Sequence, residues 1–533
     1  MADQRHIEPT ALLAAMGDPG FYDHGPTKVE LRETHISWVF IAGHLAYKLK
    51  KPLKLPFLDY SSLGRRHKMC REEVRLNRRL APDYYLGVRS IVEDRAEGVG
   101  EMASYALADE DHPGAVEYAV EMRAIPQERT LERVIIEGAL RGEEICAVGG
   151  RLAAFHDDAD PPEDAAATVP SLIAALKENH ETLRAQAGDA IPPPRLDAAE
   201  RFTEAFLDGG GEAVLRRRAA AGRARDGHGD LRAEHVLLTD PIQVYDCVEF
   251  DPGLREIDVA ADLAFLVMDL ERLGASDAGD RLENAYRAAG GDPGDRRLLA
   301  FLASYRAWVR AKVALLGPDQ AAGHRRAAEL HALGHRLAWR ARLPFVLFVC
   351  GLAASGKTTL ARALSEVSGL AVVDADTTRK SLAGLQPTER AAAEHYSLEF
   401  NRRTYHRLGA AAAAELESAG GVIVEATGRS RADRDAFREG LRGGGTDLPL
   451  LFARCEAPDE VLIARARARE ADPERVSDAD VTVVGRQLGS FEPLDEVAPN
   501  QQAAINTEIG ADSQLTEVEA LLDAATLSGS RGT

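Results

Sequence analysis

From residue 345 to residue 366 the chain reads FVLFVC, GLAASGKT, TLARALSE: an apolar run, a glycine-bounded loop ending in Lys-Thr, and a helix-forming stretch. No other feature narrows the possible folds as far. A buried strand that turns through such a loop into a helix belongs to a parallel α/β sheet, and the loop is a phosphate-binding loop. Gly351 and Gly356 let the backbone curl so that successive N–H groups point inward at phosphate oxygens. The following helix adds its positive N-terminal end. Lys357 reaches the β- and γ-phosphates, and the Thr358 hydroxyl is placed for Mg²⁺. The candidate nucleotide-binding set is Gly351, Leu352, Ala353, Ala354, Ser355, Gly356, Lys357, Thr358 and Thr359. The ligand it implies is a nucleoside triphosphate.

Downstream, LAVVDA, GVIVEA and LPLLFARC alternate with helical runs, which extends the parallel sheet and puts helices on both its faces. Upstream the pattern differs. ISWVFIAGHLAYKLKKP reads as two β runs joined at Gly43-His44, LGVRSIV and EYAVEMRAI are further strands, and residues 129–343 are mostly helical. At 533 residues the chain is too long for one core. Pro344 ends a helical, Arg- and Ala-rich stretch, so the expected division is 1–343 and 344–525, with 526–533 a disordered tail. A net charge of −20 argues against DNA or RNA as the main ligand. Five scattered cysteines without a CxxC pair argue for reduced thiols. With no secretory layout at the N-terminus and no apolar run long enough to span a bilayer, the expected compartment is the cytoplasm.

A second constellation lies in HGDLRAEHVLL (228–238), followed by YDCVEFDPGLREIDVAADLAFL. It resembles the catalytic loop of the aminoglycoside phosphotransferase-like kinases, relatives of the protein kinases. The resemblance implies a bilobal domain with an N-lobe over about 1–126 and a C-lobe over 127–343. It makes Asp230 the residue that orients or deprotonates an acceptor hydroxyl. His235 stands where the family has a metal-binding Asn, and Arg232 where it has a second His. Of the acids Asp246, Glu249 and Asp251, strand alternation puts Glu249 and Asp251 on one face. Glu249 is the first candidate metal ligand and Asp251 the second. The same resemblance makes Lys48 the lysine that grips the α/β-phosphates, with Lys50 as fallback, and Glu73 its ion-pair partner. The backbone around Met122 and Arg123 would meet the adenine. Asp258 and Asp262 would hold the loop together.

Residues 345–525 resemble the small P-loop kinases of the gluconate-kinase and zeta-toxin type. In VVDADTTRKSL the resemblance makes Asp376 the general base, with Asp374 second, and gives Arg379 and Lys380 to substrate or phosphoryl; the same residues also read as a helix cap. GVIVEATG places Glu425 as a metal-facing acid. Arg465 and Arg469, four apart on one helix face, match lid arginines that close over the phosphates; a solvated arginine face is the other reading, and Arg467 points elsewhere.

Taken whole, the chain resembles bacterial two-part proteins that fuse an aminoglycoside phosphotransferase-like domain to a P-loop kinase domain. That implies an ATP- and Mg²⁺-dependent, bifunctional phosphotransferase acting on a hydroxyl of a sugar, amino sugar or aminoglycoside-like molecule. Two alternatives stand beside it. One is a degenerate N-terminal kinase that binds ligand and regulates the P-loop half; the other is a toxin-like kinase of a nucleotide-sugar.

Overall fold

The structure, a computed structural model, describes residues 9–55, 58–94, 104–317, 319–386, 389–442, 449–470 and 481–527. Two compact units emerge, and they do not divide at 343/344. One comprises Met1–Ser171 with Arg218–Pro293; the other comprises Leu172–Arg217 with Gly294–Thr533.

In the first unit, six antiparallel strands run in the order Val29–Glu33, Ser37–Ala42, Leu45–Lys50, Ala115–Arg123, Tyr85–Asp94, Ser104–Asp109. The hairpin at Gly43-His44 forms as its sequence dictates, with Gly43 at φ 64° in the region that tight two-residue turns demand. Helix Leu63–Asn77, capped by the Ser62 hydroxyl, buries Cys70 and Val74 against Ala46, Val120 and Met122 of the sheet. That packing sets Glu73, on the same buried face, beneath the strand that carries Lys48 and Lys50. Helices Gly142–Asp158 and Ser276–Ala288 cross closely at Gly149, where a Cβ would come within 2.8 Å of the Leu282 carbonyl. Helix Val259–Arg272 is buried along most of its length.

In the second unit, five parallel strands run in the order Val372–Asp374, Gly421–Glu425, Phe345–Cys350, Leu450–Glu456, Gln502–Asn506. FVLFVC is central, and all six residues are buried. Alternate side chains serve opposite faces. Phe345, Leu347 and Val349 meet Leu360 and Leu364 of helix Lys357–Ser368 and Val518 and Leu522 of helix Ala511–Leu522. Val346, Phe348 and Cys350 meet Tyr405 and Leu408 of helix Leu398–Ala419 and Phe437 of helix Arg431–Arg442. Each such apolar side chain contributes about 1.5–3 kcal/mol on burial. A parallel sheet with this loop after its central strand is the P-loop nucleoside-triphosphatase fold.

Helices Pro193–Phe206 and Gln320–Arg342 belong to this unit and are joined to it by buried charge as well as by the packing of Trp339 in its apolar core. Arg195 makes two hydrogen bonds to Glu519, at 3.0 and 3.1 Å, and Trp339 Nε1 donates to the same carboxylate at 2.9 Å. Arg342 Nε donates to Asp523 at 2.7 Å. Thr526 and Leu527, which the sequence places in the tail, are buried, and the Thr526 hydroxyl donates to the Leu522 carbonyl. Among the described residues no helix is long and apolar enough to cross a membrane.

Candidate functional site

The loop 351–358 is shaped for phosphate before any ligand is considered. Gly351 at φ 136°, Ala354 at 63° and Gly356 at 95° produce the curl. A Cβ on Gly351 would clash with the Cys455 carbonyl at 2.6 Å, while at Gly356 the φ of 95° disfavours any side chain and a Cβ would also press on Thr507 at 3.1 Å. Lys357 Nζ folds back to donate to the Leu352 carbonyl at 2.8 Å, so its charge lies along the rim of the loop. The buried Ser355 hydroxyl has no hydrogen-bond partner among the described residues, a polar group that a phosphate oxygen can satisfy. Thr359 follows in the first turn of the helix.

The Thr358 hydroxyl donates to Glu425 Oε1 at 2.6 Å, which joins the loop to the end of the neighbouring strand. Burial raises the Glu425 pKa, against the pull of Thr358 and the Lys357 charge. A hydroxyl and a carboxylate, oxygen donors only, suit Mg²⁺, and a cation there would relieve the cost of the buried negative charge. Thr358 and Glu425 therefore fit as its protein contacts.

On the side of the shorter edge strand, a cavity of about 690 Å³ joins Lys357, Thr358 and Glu425 to Asp374, Asp376 and Arg379. Asp374 caps helix Ala375–Ala383 by accepting from Thr377 N at 2.7 Å, so its carboxylate is committed to structure. Asp376 gives one oxygen, Oδ1, to Arg379 at 2.9 Å. Arg379 also donates to Asn401 at 3.2 Å and lies over the Tyr396 ring, 4.6 Å from its centroid. Lys380 is buried and does not line this cavity. A second cavity of about 520 Å³ lies at the other side of the loop, lined by Gly351, Leu352, Ser355, Arg454, Asn506 and Glu508 among others.

Arg465 does not reach into the 690 Å³ cavity. Its guanidinium donates to the Thr507 hydroxyl and carbonyl, both at 2.9 Å, and Thr507 in turn packs on Gly356. It therefore braces the loop from behind. The Arg469 side chain lies outside the described residues. Several contributors carried no readable motif: Arg429, Arg486 and Gln487 line the cavity, and Gln487 Oε1 accepts from the Ala353 N–H at 2.9 Å. The adjacent Arg486 and Gln487 stand at no spacing that marks a phosphate site, so only the fold brings them to the loop.

In the first unit, Lys48 Nζ lies 2.8 Å from Glu73 and 2.6 Å from Asp246. Burial works against the Lys48 charge, but Asp246 and Glu73 outweigh it and hold the pKa well above the usual lysine value. Lys50 shares Glu73 at 2.7 Å and pairs with Glu249, which also accepts from the Tyr60 hydroxyl at 2.6 Å. Met122 is buried between Ala46 and Tyr85.

The alternation expected over 246–251 fails because those residues form no strand and Asp246 adopts φ 66°. As a result Asp246 faces Lys48 and His235, while Glu249 is locked behind Lys50 and Asp251 caps the turn Pro252–Leu254. His235 lies 3.8 Å from the Asp230 carboxylate and 3.6 Å from that of Asp246, so among the three acids it is Asp246 that reaches His235. Arg232 grips Asp230 through Nε and Nη2 at 2.9–3.0 Å. It also donates to His235 Nε2 at 3.1 Å, and His235 Nδ1 meets the Asp230 carbonyl at 2.9 Å. Burial, then Arg232, brings the His235 pKa down to about 4, so the ring is neutral at physiological pH. Asp262 accepts from the His228 and Gly229 N–H groups at 2.7 and 2.9 Å and fastens the loop. Asp258 instead caps its helix and binds Arg218.

Residues 346–494 match the family model described as an AAA domain. Over 361 residues, 66% of this chain and 68% of theirs, the chain is 31% identical to the uncharacterized proteins Rv2004c of Mycobacterium tuberculosis and Mb2027c of Mycobacterium bovis. Among solved structures it is similar to a gluconokinase from Sinorhizobium meliloti, 21% identical, with 35% of this chain and 95% of that one covered and a TM-score of 0.24.

Proposed function

This chain belongs to the same family as the uncharacterized protein Rv2004c of Mycobacterium tuberculosis, and we propose that its second unit is an ATP-dependent phosphotransferase with an alcohol as acceptor. One observation carries the reading: a single cavity is lined both by the phosphate-loop residues Lys357 and Thr358 and by Asp376. Backbone N–H groups of the loop and the helix end bind and orient the triphosphate. Lys357 leaves the Leu352 carbonyl for the β- and γ-phosphates and offsets the charge that builds there. Mg²⁺, held by Thr358 and Glu425, supplies charge neutralisation of the phosphates when bound. Arg379 fixes Asp376 through Oδ1, which leaves Oδ2 to take the proton of the acceptor hydroxyl. Arg465 acts at one remove, through Thr507 and Gly356.

The test is ADP release by the full chain with Mg-ATP against sugars, amino sugars and nucleosides. Turnover with one of them, abolished in Lys357→Ala and reduced at least about a hundredfold in kcat in Asp376→Asn, supports the reading. Calorimetry without any Lys357-dependent heat from Mg-ATP overturns it.

A second reading concerns the first unit, and the Arg232 clamp favours it. We infer that with both Asp230 oxygens tied to a guanidinium, and a neutral His235 in place of an amide, this unit binds a ligand and regulates the other rather than transferring phosphate. Asp230→Ala that leaves ADP release intact supports this; loss of turnover equal to that of Lys357→Ala assigns the unit a catalytic part.

A further inference from the structure

The cavity between Lys357 and Asp376 is richer in guanidinium groups than binding of a triphosphate explains. Arg379, Arg390, Arg429 and Arg486 all line it, in a chain whose net charge is −20. The acids that face it are largely committed. Asp374 caps a helix, Asp376 holds Arg379, and Glu425 accepts from Thr358. Asp433 sits in the first turn of helix Arg431–Arg442, where the helix end accommodates it.

Two arginines are differently placed. Arg429, partly buried, donates Nη1 to the Ser490 hydroxyl at 3.1 Å, and no carboxylate among the described residues lies within ion-pair distance of it. Among the described residues Arg486 makes one hydrogen bond, 3.4 Å long, to the Thr482 carbonyl of its own helix. Arg379 is 7% exposed, yet its Nε has no acceptor among the described residues. A guanidinium fixed on one nitrogen by a serine, with the rest of its planar fork free, is arranged for a two-oxygen anion.

We propose that the acceptor is itself anionic: a small hydroxyl compound carrying a carboxylate or a phosphate monoester, which Arg429 holds while Asp376 faces the hydroxyl. Cationic amino sugars are disfavoured by the same groups. The proposal rests on the phosphotransfer reading for the identity of the cavity as an acceptor site.

The experiment is calorimetry on the full chain with a matched set of ligands: a six-carbon polyol, its amine, its carboxylate and its phosphate monoester, with inorganic sulfate as a probe that lacks any skeleton. Each is titrated with and without a non-hydrolysable Mg-ATP analogue. The expected result is that the anions bind at least about tenfold tighter than the polyol and the amine, and that Arg429→Gln removes this preference while the ATP analogue binds as before. Comparison of the carboxylate with the monoester tells which anion is meant. Equal binding across the set, tighter binding of the amine, absence of anion binding, or an Arg429→Gln variant that weakens the nucleotide instead of the anion overturns the inference. Loss of Lys357-dependent nucleotide binding would sink the phosphotransfer reading, and the titrations without nucleotide still decide the anion preference.

Discussion

Glu425 and His235 are both buried titratable groups, and they respond to pH in opposite senses. The Glu425 carboxyl is held above its ordinary value, so the folded chain binds a proton where the unfolded chain has lost it. Without a cation, stability from this group falls as pH rises from the ordinary carboxylate value of about 4.3 toward the raised one. Mg²⁺ competes with that proton. Its affinity, measured by titration in the presence of ATP, is expected to climb with pH through this window more steeply in the parent than in Glu425→Gln. His235 is the reverse case. Its folded pKa of about 4 lies below the ordinary histidine value of about 6.5. Below about pH 6.5 the unfolded chain takes up a proton that the folded one refuses, so stability drops as pH falls toward about 4. Between about pH 7.5 and pH 5, urea unfolding should shift by about 2 kcal/mol in favour of His235→Asn relative to the parent. A constant difference between the two at both pH values would mean that His235 protonates freely in the fold.

The phosphate loop depends on elements that its motif does not mention. Val484 of helix Val481–Gln487 is fully buried with Ala353, Ala354, Leu462 and Ala466, and Gln487 caps the Ala353 amide. The loop is thus held on one side by this apolar cluster and on the other by Arg465 through Thr507. Val484→Asp puts a charge into the cluster and is expected to raise the Kd for Mg-ATP at least about tenfold, some 1.4 kcal/mol, with circular dichroism unchanged; Val484→Ile should bind normally. This is also the scale at which sequence is most legible. FVLFVC and GVIVE announce themselves because central parallel strands are continuous apolar runs, and Gly43-His44 announces a hairpin by its turn chemistry. Strand Gln502–Asn506 does not, because it is an edge strand, with one buried residue among five. Asp246 is hidden for a different reason: a positive φ breaks the alternation that singles out Glu249 and Asp251. Arg429, Arg486 and Gln487 reach the cavity only through tertiary packing, which no local spacing encodes.

At the scale of the molecule, the second unit is assembled from two separated stretches of chain, and buried charge joins them. Glu519 is fully buried and accepts from Arg195 and Trp339, while Asp523 accepts from Arg342. Removing one partner of such a pair leaves the other charge uncompensated. Glu519→Ala is expected to destabilise this unit by about 3–5 kcal/mol, read as an earlier denaturation midpoint for the transition that Mg-ATP protects. A midpoint shifted by less than about 1 kcal/mol would mean that Arg195 finds water or another acceptor.

The same arrangement tells a protein engineer where not to cut. Expressing 344–533 as a stand-alone fragment, the natural choice from the motif, would strip Glu519 and Asp523 of their guanidinium partners and bare the apolar flank that Trp339 covers. A workable truncation has to carry the stretches 172–217 and 294–343 along, spliced by a short linker across the gap.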